Sequence, residues 1–85
     1  MPYIKETDRV KYRDVLRQLP AIETKGDLEY CVYWMLKKYM STRPMKYTEL
    51  HEAVYGAIHA GDEFRRQFLD KREDQAKETN GDIEL

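Results

Sequence analysis

His51 and His59 are the two histidines of the chain, and imidazole is the side chain most often recruited for acid–base or metal work near neutral pH. Eight positions apart on a helix they stand roughly 80° from one another around the axis, so they do not make one site within a chain. Tyr55, His59 and Glu63 do line up at spacings of four, and a histidine with a carboxylate one turn on can hold a metal or relay a proton. Neither the Glu-x-x-His pair of di-iron bundles nor the His-Glu-x-x-His of zinc peptidases is present, so the spacing predicts a surface ladder rather than a metal site. Nucleophiles offer less. Ser41 is the only serine and lacks a Gly-x-Ser-x-Gly setting. Cys31, the only cysteine, falls in the most apolar stretch, where a buried, inert thiol is expected. No glycine-rich phosphate loop occurs. No catalytic residue, metal ligand or cofactor is expected, and an enzyme ranks last among the function classes.

The best candidate site is the basic cluster Lys37, Lys38, Arg43 and Lys46, interleaved with Tyr39 and Tyr47, in a stretch with no acidic residue between Leu36 and Thr48. Two readings stand. Cations at a helix C-terminus complement its dipole and need no ligand. Alternatively the ammonium and guanidinium groups hold phosphate while tyrosine or tryptophan stacks on a base. On that reading Lys37, Lys38, Arg43, Lys46 and Tyr47 bind the ligand. A symmetric dimer would present them twice, which suits a symmetric anion such as a cyclic dinucleotide.

These residues are positioned by three predicted helices. Thr7 can cap a first helix over Asp8 to Leu19, with Val10, Val15, Leu16 and Leu19 on one side, stopped by Pro20. A second runs from Asp27 to Met40 after a cap at Thr24 or Gly26. Within it the segment EYCVYWMLKKYM places nine apolar or aromatic residues in twelve positions. Leu28, Val32, Met35, Leu36 and Tyr39 recur at helical spacing as a core stripe, and Tyr30, Tyr33 and Trp34 point elsewhere. A helix apolar nearly all round is buried nearly all round, so Tyr30, Tyr33 and Trp34 are read as an oligomer or partner contact. Pro44 breaks the chain, and Thr48 can cap a third helix from Glu49 to Lys77, about 43 Å long if continuous. Leu50, Val54, Ala57, Ile58, Gly61, Phe64, Phe68 and Leu69 form one stripe on it. Beside them Ala53, Gly56, Ala57, Ala60 and Gly61 form a run of small residues. Interior glycines weaken a helix, so Gly56 and Ala60 are expected at the close approach of another helix and are read with Tyr30, Tyr33 and Trp34 as an oligomer or partner contact, with a kink at Gly56 or Gly61 as the alternative. Asn80-Gly81 can form a left-handed cap, leaving 80–85 as a short tail.

Eighty-five residues make a single helical domain, and a core this small stabilises a lone chain only marginally. A homodimer or higher oligomer is the expected remedy. Fifteen basic residues against sixteen acidic give a formal charge of −1, which argues against non-specific nucleic-acid binding, where excess cations must replace condensed counterions. The lone cysteine and the absence of an apolar run near 18 residues predict a soluble protein of a reducing cytoplasm, with no membrane partner.

Met1-Pro-Tyr-Ile4, Gly26-Asp-Leu-Glu-Tyr30 before an apolar helix ending in Lys-Tyr, and Asn80-Gly-Asp-Ile83 occur in that order. Together they resemble a family of small uncharacterised proteins of tailed phages and bacterial prophages, whose members begin MPYI, enter the second helix through a GELNY-like motif and close on NGDV or NGDI. Here Glu29 stands where that motif has asparagine. The resemblance implies a phage origin and action in the host cytoplasm, where such proteins often disable host machinery or sequester immune signals. The expected function is then a phage-encoded, non-enzymatic anti-defence protein that sequesters a nucleotide-type immune signal, such as a cyclic nucleotide, in an oligomer pocket. The alternative is a small helical interaction protein that binds a host protein or phage structural component, and a small enzyme comes third.

Overall fold

A computed structural model describes residues 2–83, and among these the chain is all-α. Helix α1 spans Glu6–Arg17, α2 Lys25–Met40 and α3 Tyr47–Phe64. A π-helical turn over Arg65–Leu69 then leads without a break into α4, Asp70–Asn80. The rod from α3 to α4 sets the long dimension of a molecule measuring 50 × 32 × 29 Å.

The helix ends follow local chemistry, with several departures from expectation. Helix α1 starts at Glu6, so Thr7 lies inside it. Lys5 is the N-cap without a side-chain bond, and Glu6 and Asp8 complement the positive end of the dipole instead. It also ends at Arg17 rather than Leu19, because the residue before Pro20 is pushed out of helical geometry. Helix α2 has the expected cap at Thr24, whose hydroxyl accepts from the Asp27 amide at 3.0 Å. The Asp27 carboxylate accepts in return from the Thr24 amide at 3.3 Å, closing a capping box. Helix α3 begins at Tyr47 with Lys46 as N-cap, which moves Thr48 from the cap into the first turn. At the far end Gly81 takes φ +87° and its amide donates to the Lys77 carbonyl at 2.8 Å. Its ψ of 154° lies outside the left-handed helical region but in a region open to glycine alone. Of the expected tail, Glu84 and Leu85 lie outside the described residues, as does Met1 of the opening motif.

Helix α3 continues without a break through Gly56 and Gly61. The irregularity of the rod is the π turn, where an extra residue enters the ladder and rotates the following face.

Helices α2 and α3, joined by the short Ser41–Lys46 connection, pack against each other as antiparallel neighbours. Their tightest meeting lies near that connection, where Met40 and Ala53 are the buried hydrophobic residues. It is the small stripe of α3 that faces α2. The larger Leu50, Val54 and Ile58 remain 42–50% exposed. Helix α1 packs along no other helix. The segment before it is tied to α3 by the Tyr3–Glu63 hydrogen bond, and Leu19, just after it, lines a shallow hollow with Tyr30 and Cys31 of α2.

Candidate functional site

The cationic residues at the end of α2 divide among three aromatic settings. Lys37 holds its ammonium 4.6 Å from the centre of the Trp34 ring, one turn back on the same helix face. Trp34 meets Tyr30 edge-on at 6.4 Å. Lys38 lies beside them, lining a shallow depression with Leu19, Tyr30, Cys31, Trp34 and Met35. Arg43, just past the helix, folds back so that its guanidinium stacks 3.6 Å over the Tyr39 ring. The same group donates to the Tyr39 carbonyl at 2.5 Å, one of the last acceptors of α2 left without an intrahelical partner. The Tyr39 hydroxyl in turn donates to Glu52 of α3 at 3.4 Å. Lys46 and Tyr47 sit at the start of α3, with Tyr47 81% exposed. Thus two cations already rest on aromatic faces, while Lys46 and Tyr47 belong to the next helix.

Tyr30, Tyr33 and Trp34 are all more than half exposed and occupy the side of α2 away from α3. Cys31 is half-buried at the edge of that face rather than enclosed, beside a hollow that it lines with Leu19, Pro20, Ala21 and Ile22 of the α1–α2 connection. The opposite side of α2 faces a groove. Leu28, Val32, Met35, Leu36 and Tyr39 form one wall; Ala53, Gly56, Ala57, Ala60, Gly61 and Phe64 form the other, around about 790 Å³. The expected core stripe therefore lines an open channel, with Leu28 and Met35 still 49% and 47% exposed. Gly56 and Ala60 face α2 of their own chain across this channel.

Two features went unread in the sequence. The first is the extent of the ring ladder. Tyr47, His51, Tyr55 and His59 meet in succession along α3, with centroids 5.6, 4.3 and 5.9 Å apart, the middle pair stacked and the last edge-on. Their spacing of four was the available signal. The second is an anchor at the end of α3. Tyr3 donates to Oε1 of Glu63 at 2.9 Å, and Gln67 donates both to the Tyr3 oxygen at 3.3 Å and to Glu63 at 3.2 Å. Arg66 completes it with two bonds to the same carboxylate, at 3.0 and 2.6 Å. These donors, Arg66 first and Tyr3 next, hold the Glu63 carboxyl down at about 2 and raise the Arg66 guanidinium. Glu63 is thus committed to the anchor instead of extending the histidine ladder. A hollow of about 530 Å³ beside it is lined by Pro2, His59, Asp62, Arg65 and Asp70 as well. Among the described residues no group of three or more His, Cys, Asp or Glu converges as a metal site, and no helix is long and apolar enough to cross a membrane.

A family model described as a domain of unknown function (DUF6899) matches residues 1–83, a stretch that runs from the MPYI start to the NGDI close. No curated protein and no solved structure matches the chain.

Proposed function

Since the chain belongs to the DUF6899 family, which carries no assigned activity, we propose its function from the surface chemistry: a non-enzymatic protein that binds an anionic, nucleotide-type ligand as an oligomer. The observation that carries this reading is the pair of cations seated on aromatic rings, Lys37 on Trp34 and Arg43 on Tyr39. A phosphate with a flat base needs both kinds of group, charge for one part and a π face for the other. In one protomer Lys37, Lys38, Arg43, Lys46 and Tyr47 lie on an open surface, and a symmetric oligomer would present that surface more than once. The sequence motifs add the setting: a phage protein acting in the host cytoplasm that sequesters an immune signal such as a cyclic dinucleotide. A thermal-shift panel of cyclic nucleotides and ADP-ribose derivatives tests it. One of them should raise the melting temperature, and Lys37→Ala with Arg43→Ala should abolish the rise. A flat response across the panel removes the reading.

The second reading is an interaction protein that binds a host protein or a phage structural component. The exposure of Tyr30, Tyr33 and Trp34 on one face supports it, since tyrosine and tryptophan dominate binding hot spots. Tyr33→Ala with Trp34→Ala would then abolish capture of one specific partner from infected cells, while the basic double variant would leave it intact. An enzyme remains the third reading, its histidines being engaged in the ring ladder.

A further inference from the structure

We infer that the apolar groove between α2 and α3 is the seat of a second copy of this chain. Two protomers meet groove to groove about a two-fold axis, so that α2 and α3 of each complete a four-helix core. This rests on the oligomeric reading above and assigns its surface.

The exposed area, to which the unpacked α1 and the projecting α4 also contribute, leaves room for a partner of this size. A compact monomer of 10.2 kDa exposes about 5,300 Å², whereas the protomer exposes 8149 Å², roughly 2,800 Å² more. Its radius of gyration is 16.9 Å, against about 12 Å for 85 residues folded compactly. A specific complex hides about 800 Å² per partner and obligate homodimers hide more, so the surplus is ample for a core-like interface.

The groove is also self-complementary, as an isologous contact must be. Its α2 wall is large, with Tyr39 beside Leu28, Val32, Met35 and Leu36, while its α3 wall is small up to Phe64, which closes it. A two-fold axis along the groove lays the large wall of one copy over the small wall of the other. Glu52 is the one ionisable carboxylate in the lining, so little charge has to be desolvated. A Cβ built at Gly56 or Gly61 meets no atom within 4 Å. Packing inside the protomer therefore does not account for these glycines, and a neighbouring helix backbone from the second copy does.

The test uses the full chain carrying Cys31→Ser, with a single cysteine introduced at Ala57 or Ala60 in the groove, or at Ile58 outside it. A short bismaleimide, which can span identical positions on diagonally placed helices, should join the groove variants into covalent dimers on denaturing gels far more completely than Ile58→Cys, with helicity by circular dichroism unchanged. Light scattering of the unmodified protein at micromolar concentration should report an even number of protomers. An oligomer in which only Ile58→Cys cross-links, or none of the three does, overturns the groove assignment and leaves the oligomeric reading standing. A monomeric mass overturns both, whether native mass spectrometry then finds the groove empty or holding a co-purified apolar molecule.

Discussion

The hydroxyl of Tyr3 donates to the carboxylate of Glu63 at 2.9 Å across sixty positions of sequence. That bond ties the N-terminal segment to the end of α3, two residues before the helix passes into its π turn. It also gives the tyrosine of the MPYI start a structural task, tying down the segment before α1.

The anchor predicts an acid-sensitive contact. Glu63 has its carboxyl lowered from the ordinary 4.5 to about 2, first by Arg66 and then by Tyr3. A carboxyl lowered on folding contributes stability that is fully present above its unfolded value and is lost as pH falls through the folded one. Glu63→Gln should therefore melt below the parent protein at pH 7, with the gap closing between about pH 4.5 and 2. Parallel melting curves down to pH 2.5 would remove this role from Glu63.

Tyr3→Phe keeps the ring and deletes the donor, so it separates anchoring from packing. Exposed bonds of this kind are worth about 1 kcal/mol or less, and global stability should barely move. Faster amide exchange in α1, with α2 and α3 unchanged, is the expected signature; uniform exchange across all three helices would show that the contact does not hold α1 in place.

The capping box of α2 gives a more conventional prediction. Replacing Thr24 by Ala leaves the Asp27 amide without its acceptor and should cost about 1 kcal/mol in urea denaturation, with Thr24→Ser nearly neutral. Equal losses for both variants would point to the methyl group rather than the hydroxyl.

At Gly56 the sign of a substitution discriminates between two environments. Where the added methyl meets solvent, Gly56→Ala strengthens the helix by up to about 1 kcal/mol. Against the backbone of a second copy it clashes. We expect the melting temperature of Gly56→Ala to fall and to depend more steeply on protein concentration. A stabilised variant with unchanged concentration dependence would contradict the groove-to-groove arrangement.

Much of the local structure was legible because it depends on neighbours in sequence. The three helical segments, the break at Pro20, the Thr24 cap and the positive φ of Gly81 all follow from groups within about five positions of one another. Where boundaries shifted, as at Thr7 and Thr48, dipole-complementing acids or a backbone-only cap did the work reserved for a hydroxyl. The cationic residues near the end of α2 were legible as a group. Their division was not, because seating Lys37 on Trp34 and Arg43 on Tyr39 depends on rotamers and on the turn after Met40.

The sequence alone determined that this chain is helical, where its helices break and that α2 is apolar on two faces, since spacing and capping chemistry act over one or two turns. Tertiary structure decided which stripe of α3 meets α2. Periodicity presents the Leu50, Val54, Ile58 stripe and the Ala53, Gly56, Ala60 stripe side by side and cannot rank them. Close approach of two helices at Met40 and Ala53 selects the small one. It decided also that Tyr3 finds Glu63, and that the supposed core of Leu28, Val32, Met35 and Leu36 is the wall of an open groove. Contacts between residues so far apart in the chain depend on how whole helices are placed, and no local pattern encodes that placement.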